Sequence, residues 1–273
     1  MTNPRLLIVE DAIDVAEMLE YYFSSHGYEV LVANDGETAL SLCRAQLPSL
    51  VLLDVGLPDI DGFTVCRRLR QSTRFRHLPI IFATKRDRRA DKVEGLSLGA
   101  DDFISKPFDL EDLFLRVQNT ISRSARNNIT DPRTGLPALE VVRQEVAQAA
   151  AKSNLRVVTF RVKNLESFRE LYSALTASDV LRAAALLLHN LLDDLGRPEV
   201  FLGQTAEDSF TVICPTELAN TLACEAERRF AADAHQHYSF GVRDGDNVRA
   251  HDTGHEERLV PIVALESDPP CVS

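Results

Sequence analysis

The chain has no tryptophan and only two methionines, and none of its five cysteines stands at a spacing typical of a zinc site or a redox pair. Because their number is odd and no pairing is indicated, we expect buried or incidental thiols in a reducing compartment. The cysteines are Cys43, Cys66, Cys214, Cys224 and Cys271.

Long hydrophobic runs are also missing. No stretch approaches the roughly 18 apolar residues of a membrane span, and the N-terminus has no apolar segment typical of a signal peptide. We therefore expect a cytoplasmic protein that does not enter a membrane. The formal net charge of -11 would repel phosphate-rich partners, and the second half has no pattern of a helix-turn-helix, so DNA binding is not expected.

One local basic cluster interrupts this acidic balance. We expect it on the solvated face and at the end of the third helix, since charge runs usually face water. Its members are Arg67, Arg68, Arg70, Arg74 and Arg76.

The 273 residues are enough for two domains of ordinary size, with 45% apolar and 26% charged residues. The polar stretch SRSARNN loses the periodicity of the helix before it and predicts a linker. We predict a first domain over 1–122, a linker over 123–129, a second domain over 130–266 and a C-terminal tail over 267–273 that is frayed from Asp268 onward.

The first half alternates short apolar runs with amphipathic stretches. Continuous apolar runs are typical of strands buried on both faces, so the pattern predicts a doubly wound α/β domain with a five-stranded parallel sheet, the flavodoxin-like arrangement. The second half mixes helical stretches with strands and predicts an α+β domain. The runs of the first half are LLIV at 6–9, VLVA at 30–33, LVLL at 50–53, IIFA at 80–83 and FI at 103–104.

Polar side chains follow the predicted strands of the first half. Glu10 and Asp11 end the first strand, Asp54 the third and Thr84 the fourth, and Lys106 follows the fifth. Because parallel strands present their carboxyl ends at one edge, we expect these groups to meet there. Clustered carboxylates favour a hard cation such as Mg²⁺, a carboxylate can attack a phosphoryl donor, and a lysine can hold the phosphoryl oxygens.

These residues resemble the signature of bacterial two-component response regulators, together with the run LLDVGLPDIDG and the Lys106-Pro107-Phe108 sequence. The resemblance implies that Asp54 accepts phosphate from a histidine kinase or a phosphotransfer protein. It implies that Mg²⁺ is bound by Asp11 and Asp54, by Glu10 through water and by the Gly56 carbonyl. It also implies a cis Lys106–Pro107 bond.

The same resemblance places a switch pair at Thr84 and Phe103 and implies pairing of two receivers as a homodimer. Lys85 stands where the family usually has a small residue. A long side chain there could crowd the phosphoryl pocket or shield it from water, so we expect altered rates of phosphotransfer or dephosphorylation.

The opening TDPRTGLP of the second half, residues 130–137, resembles the start of a diguanylate cyclase (GGDEF) domain. That chemistry needs glycines for phosphate approach and acidic residues for metal. Here the metal-binding acid becomes Asn164, and the Gly-Gly-Asp-Glu-Phe signature is replaced throughout except at its third and fifth positions. The aligned residues are Ala206, Glu207, Asp208, Ser209 and Phe210.

Losing the glycines and the metal ligand together is expected to abolish turnover, because each lost catalytic contact costs orders of magnitude in rate. We therefore expect a non-catalytic output module that acts on an unknown protein partner. Two alternatives stay open, an active diguanylate cyclase and a receptor for GTP or cyclic di-GMP.

Overall fold

The computed structural model describes residues 3–85, 89–197, 199–238, 242–244, 247–251 and 257–271. The described chain divides into two compact units, Asn3–Val141 and the residues from Val142 onward. Residues 130–141, which the sequence assigns to the second domain, therefore group with the first unit.

The first unit alternates strands and helices as the apolar runs predict. Each strand has four or five residues and contains one of these runs; β1, β3 and β4 are buried along their whole length, as expected for strands covered on both faces. In chain order the elements are β1 (Arg5–Val9), α1 (Ile13–Ser25), β2 (Glu29–Ala33), α2 (Gly36–Gln46), β3 (Leu50–Leu53), α3 (Gly62–Gln71), β4 (Ile80–Thr84), α4 (Arg89–Ser97), β5 (Asp102–Ser105), α5 (Leu110–Arg126) and the start of α6 (Leu139–Ala149).

All five strands are parallel, in the order β2-β1-β3-β4-β5, which confirms the doubly wound flavodoxin-like sheet. The core on one face of the sheet packs Leu6, Ile8 and Leu52 against Phe23 of α1 and Leu113 of α5, all at most 2% exposed. Strand order reverses between β1 and β3, and in open sheets ligands bind at the carboxyl ends beside that point.

The second unit contains a four-stranded antiparallel sheet with helices, in agreement with the α+β prediction. Its elements are β6 (Leu155–Lys163), α7 (Leu165–Leu171), α8 (Ala174–Asp194), β7 (Phe201–Ala206), β8 (Ser209–Pro215), α9 (Thr216–Asp233), a 3-10 helix (Ala234–His237), β9 (Val242–Asp244), β10 (Asn247–His251), β11 (Glu257–Pro261) and β12 (Ala264–Asp268). The sheet order is β12-β6-β8-β7, and β9, β10 and β11 form a separate three-stranded sheet.

Of the described helices, α8 is long and apolar enough by length and composition to cross a membrane. This helix packs inside the protein, since 61% of its most apolar 18-residue stretch is buried. Leu181, Leu188 and Leu192 are each at most 1% exposed, as expected for a core helix.

The cysteine prediction is wrong for two of the five residues. Cys224 of α9 and Cys271 form a disulfide with a Cα–Cα distance of 4.9 Å, while Cys43, Cys66 and Cys214 are buried free thiols. The two cysteines stand 47 positions apart, a spacing that does not indicate a disulfide, and the packing of β12 against α9 brings the two cysteines together. The described part of the predicted tail is therefore held in the fold, because β12 extends to Asp268 and Cys271 is covalently bonded to Cys224.

Candidate functional site

Four polar side chains meet at the edge of the first sheet where its strands end. Glu10 directly follows β1, Asp54 follows β3, Thr84 is the last residue of β4, and Lys106 follows β5. Backbone bonds fix these positions, because the Asp54 N–H donates to the Val9 carbonyl at 2.9 Å and the Lys106 N–H donates to the Thr84 carbonyl at 2.8 Å. The topology therefore assembles the cluster that the strand ends predict.

Lys106 is the hub of this cluster. Its Nζ donates to Asp54 Oδ2 at 2.6 Å and also to Glu10 Oε2. The side chains of Lys106 and Asp54 are each 10% exposed and that of Glu10 is 4% exposed, so water screens these ion pairs little. The other oxygen of Asp54, Oδ1, accepts the Gly56 N–H at 3.0 Å.

Burial and hydrogen bonding act in opposite directions on these groups. Burial favours a higher pKa for Asp54, but hydrogen bonds from Lys106, Gly56 and Thr84 outweigh it and hold the pKa below its ordinary value. At Glu10 burial prevails and raises the pKa. Burial would lower the pKa of Lys106, yet its bonds to Asp54 and Glu10 raise it. Asp54 is thus kept as a carboxylate, the form that can act as a nucleophile.

The same edge offers a set of oxygen ligands that fits a hard divalent cation. Carboxylate oxygens of Glu10, Asp11 and Asp54 all lie within 4.8 Å of one another, and Asp11 is exposed to solvent while the other two are buried. Mg²⁺ prefers one or two carboxylates and keeps several waters, which an exposed carboxylate beside two buried ones allows.

Thr84 and Phe103 lie near this edge on neighbouring strands. Thr84 is 1% exposed and bonds Asp54, while the half-buried Phe103 ring lies 6.2 Å from the ring of Phe82. The Lys106–Pro107 bond is cis, as the resemblance implies. Lys85 is exposed immediately after the buried Thr84.

Sequence reasoning missed the residue that fixes the loop after Asp54. Asp59 accepts the N–H groups of Gly36 and Glu37, at 2.8 and 2.9 Å, and so joins that loop to the first turn of α2. An acidic residue at a helix N-terminus is a favourable cap, but this partner comes from 22 residues away. Because this contact joins residues that are far apart in the sequence, only the folded structure reveals it.

In the second unit four residues of the degenerate cyclase signature line one cavity of about 490 Å³. Asn164 and the turn Ala206–Asp208 contribute to its wall, together with the basic side chains Arg161, Lys163 and Arg169. Each of these cations has an acidic partner: Arg161 pairs with Asp208 at 3.8 Å, Lys163 with Glu266 at 2.8 Å, and Arg169 with Glu207 at 3.4 Å.

Asn164 is engaged in the fold. Its side-chain amide donates to the Ile262 carbonyl at 2.7 Å, between β11 and β12, and its backbone adopts the left-handed conformation with φ 61°. Tyr238 holds the same connection from another side, because its hydroxyl accepts the Val263 N–H at 2.8 Å and donates to the Pro261 carbonyl at 3.2 Å. A carboxylate at position 164 would lack the donor that this contact needs.

The turn between β7 and β8 is likewise closed by its own side chains. The buried Gln204 amide donates to the Ala206 carbonyl at 3.1 Å, and Ser209 Oγ donates to Asp208 Oδ1 at 2.6 Å. Phe210 is fully buried in the core. Within the described residues, the acidic cluster suited to a metal lies at Glu10, Asp11 and Asp54, and none is found at this turn.

Residues 6–118 match the family model described as the response regulator receiver domain. The response regulator PleD of Caulobacter vibrioides (strain NA1000 / CB15N) is 44% identical over 117 residues, which are 43% of this chain and 26% of PleD. The alkaline phosphatase synthesis transcriptional regulatory protein PhoP of Bacillus subtilis (strain 168) is 41% identical over 122 residues, 45% of this chain and 50% of PhoP. The chain thus spans half or less of these two relatives.

Among solved structures, that of a response regulator from Chloroflexus aurantiacus J-10-fl is 42% identical. It covers 45% of this chain and 100% of its own chain, with a TM-score of 0.43.

Proposed function

Because residues 6–118 of this chain belong to the response regulator receiver family, we propose that it is phosphorylated on Asp54 by a cognate histidine kinase or a phosphotransfer protein. The observation that carries the proposal is the buried Asp54 carboxylate, held by Lys106 at 2.6 Å beside Glu10 and Asp11.

The cluster suits transfer of a phosphoryl group between nitrogen and oxygen. A carboxylate oxygen of Asp54 forms the bond to phosphorus while the bond from phosphorus to the donor's imidazole nitrogen breaks. Lys106 exchanges its contact with the carboxylate for one with a phosphoryl oxygen, and the Thr84 hydroxyl bonds the same group. Asp11 and Asp54, with the Gly56 carbonyl as a further ligand and Glu10 acting through water, would hold Mg²⁺, which would supply charge neutralisation.

Incubation with acetyl phosphate and Mg²⁺ tests this proposal. We expect intact-protein mass spectrometry to show the gain of one phosphoryl group, no gain for Asp54→Asn, and an undiminished gain for Asp61→Asn. Asp61 is a matched control, since it is exposed in the same loop and only caps α3 through the Thr64 N–H. Equal labelling of wild type and Asp54→Asn would refute the assignment of the acceptor.

For the second unit we propose a GGDEF-like output module without turnover, which acts through contact with a protein partner. The Asn164 amide is bonded to the Ile262 carbonyl, and an alanine and a glutamate stand where phosphate approach needs glycine. A receptor for GTP or cyclic di-GMP is the second candidate, because a cavity of about 490 Å³ with three basic side chains lies at this place.

Incubation with GTP and Mg²⁺, followed by titration with GTP and with cyclic di-GMP, separates these possibilities. We expect neither cyclic di-GMP production nor tight binding. Production would establish an active cyclase, and tight binding without turnover, weakened by Arg169→Ala, would establish the receptor.

We further propose that phosphorylation changes the surface of α4, β5 and α5, and that two receivers pair there in a cytoplasmic homodimer. Apolar side chains already exposed on α4 and α5 support this, with Val93 at 60%, Leu96 at 51% and Leu115 at 47% exposure. Sedimentation with and without acetyl phosphate tests the pairing. A monomer under both conditions would contradict it.

A further inference from the structure

The chain that leaves α5 turns back within the first unit. Residues 128–138, here called the strap, follow α5 and begin with Asn128, which adopts the left-handed conformation with φ 51°. The strap closes on itself, because the Asp131 N–H donates to the Leu136 carbonyl at 2.9 Å and the Gly135 N–H to the Asp131 carbonyl at 2.8 Å. The Asp131 and Arg133 side chains pair at 2.7 Å inside the turn.

The strap is docked on the connection between α2 and β3. The Pro132 carbonyl accepts the Ser49 hydroxyl at 2.8 Å, and the same hydroxyl accepts the Arg5 N–H at the start of β1 at 3.1 Å. Gly135 lies against the backbone of this connection, since a Cβ added to it would stand 2.5 Å from the carbonyl oxygens of both Leu47 and Pro48. Only a glycine fits there without displacing the backbone.

Burial and side-chain bonds show that the strap packs as a core segment does. Thr134 is 0%, Leu136 1% and Thr130 4% exposed. The Thr130 and Ser124 hydroxyls bond each other at 2.7 Å, which ties the strap to the last turns of α5. A flexible linker would leave such side chains in water and its backbone unpaired.

We propose that the strap is a clamp built into the receiver unit. The segment that resembles the opening of a cyclase domain closes the end of the receiver sheet opposite Asp54, and the chain between α5 and α6 is a fixed segment, not a flexible linker. The clamp is a property of the fold, and it holds whether or not Asp54 accepts a phosphoryl group.

Hydrogen exchange on the full chain tests the clamp with a matched pair of glycine variants. Gly135 and Gly27 both have positive φ, 68° and 84°, so alanine strains the backbone at either position. Nothing lies within 4 Å of a Cβ at Gly27, whereas one at Gly135 meets Leu47 and Pro48. We expect Gly135→Ala to accelerate exchange at the amides of Asp131, Gly135 and Ala138 about tenfold more than Gly27→Ala does.

A second pair of variants, which disturbs the backbone less, keeps the test decisive if Gly135→Ala unfolds the protein. Ser49→Ala removes the hydroxyl bridge to Pro132, while Ser41→Ala removes an exposed hydroxyl bonded to Glu37 within α2. We expect Ser49→Ala alone to accelerate exchange in the strap. Wild-type strap amides that exchange as fast as a free peptide, or equal exchange in the two serine variants, would overturn the proposal.

Discussion

Lys85 directly follows the buried Thr84 at the end of β4, and its side chain is exposed. Its stem is long enough to lie over the mouth of the acidic pocket and limit the approach of water to a phosphoryl group on Asp54. We predict that Lys85→Ala shortens the lifetime of phosphorylated Asp54 severalfold.

The decay of phosphorylated protein after removal of the phosphodonor measures this effect. Lys152→Ala serves as the control, since Lys152 is an exposed lysine in the second unit. Equal half-lives for wild type and Lys85→Ala would show that Lys85 does not affect the lifetime of phosphorylated Asp54.

We predict that His77 makes the stability of the receiver depend on pH. Burial lowers its pKa to about 4, and the neighbouring charges of Arg76 and Arg70 act in the same direction. Since the folded state binds the proton less readily than the unfolded chain, stability is complete above about pH 6.5 and falls as the pH drops toward 4. We predict that His77→Gln removes up to about 3 kcal/mol of this pH dependence in urea titrations at pH 7 and pH 4.5. An equal loss of unfolding free energy between pH 7 and pH 4.5 in wild type and His77→Gln would contradict the prediction.

At the scale of elements, Arg70 joins three segments of the receiver. It lies on α3, and its guanidinium donates to the Leu78 carbonyl before β4 at 2.8 Å and to the Gly99 carbonyl before β5 at 2.8 and 3.0 Å. The expectation that the basic cluster faces solvent is therefore wrong for Arg70, whose side chain is 17% exposed, and for Arg74, which is 2% exposed. The planar fork serves several carbonyls at once, which explains an arginine at this position.

We predict that Arg70→Lys lowers the free energy of unfolding of the receiver by about 1–3 kcal/mol, because a lysine cannot reach both carbonyls and loses either the partly buried bond to Leu78 or the paired bonds to Gly99. Chemical denaturation measures this loss. Arg67→Lys, on the exposed face of the same helix, is expected to change stability by less than about 0.5 kcal/mol. A similar loss in both variants would mean that the carbonyl contacts contribute nothing specific.

The elements differ in how far the sequence predicts them. Apolar runs such as Leu50–Leu53 mark the parallel strands, because burial on both faces removes polar residues from them. The apolar stretch over 259–265 is divided between two strands, β11 and β12, which are separated at Ile262 and Val263. Pro261 at the end of β11 is a local sign of this break, whereas the contacts of Asn164 and Tyr238 that hold the connection come from distant parts of the chain.

For the whole molecule, contacts between distant residues account for what the sequence does not predict. Glu10, Asp54 and Lys106 could be placed together because parallel topology alone brings strand ends to one edge. The strap could not be predicted, since its likeness to the opening of a cyclase domain says nothing of the Ser49 hydroxyl that binds it. Local resemblance identifies a segment, whereas its position depends on the surface it packs against.

The disulfide is also a contact between residues far apart in the sequence, and both of its cysteines lie in the second unit. Ser267 of β12 donates twice to Glu227 of α9, at 2.6 and 2.8 Å, and the Cys224–Cys271 bond lies just beyond, closing a separation of 47 residues. A cross-link over a loop of this length stabilises by about 2–4 kcal/mol, in large part by restricting the unfolded chain. We predict that a thiol reductant lowers the melting temperature of the second unit and leaves that of the receiver unchanged. The Cys224→Ser/Cys271→Ser double variant should melt at the reduced value with or without reductant, and a melting curve insensitive to reductant in the wild type would show that this cross-link does not stabilise the second unit.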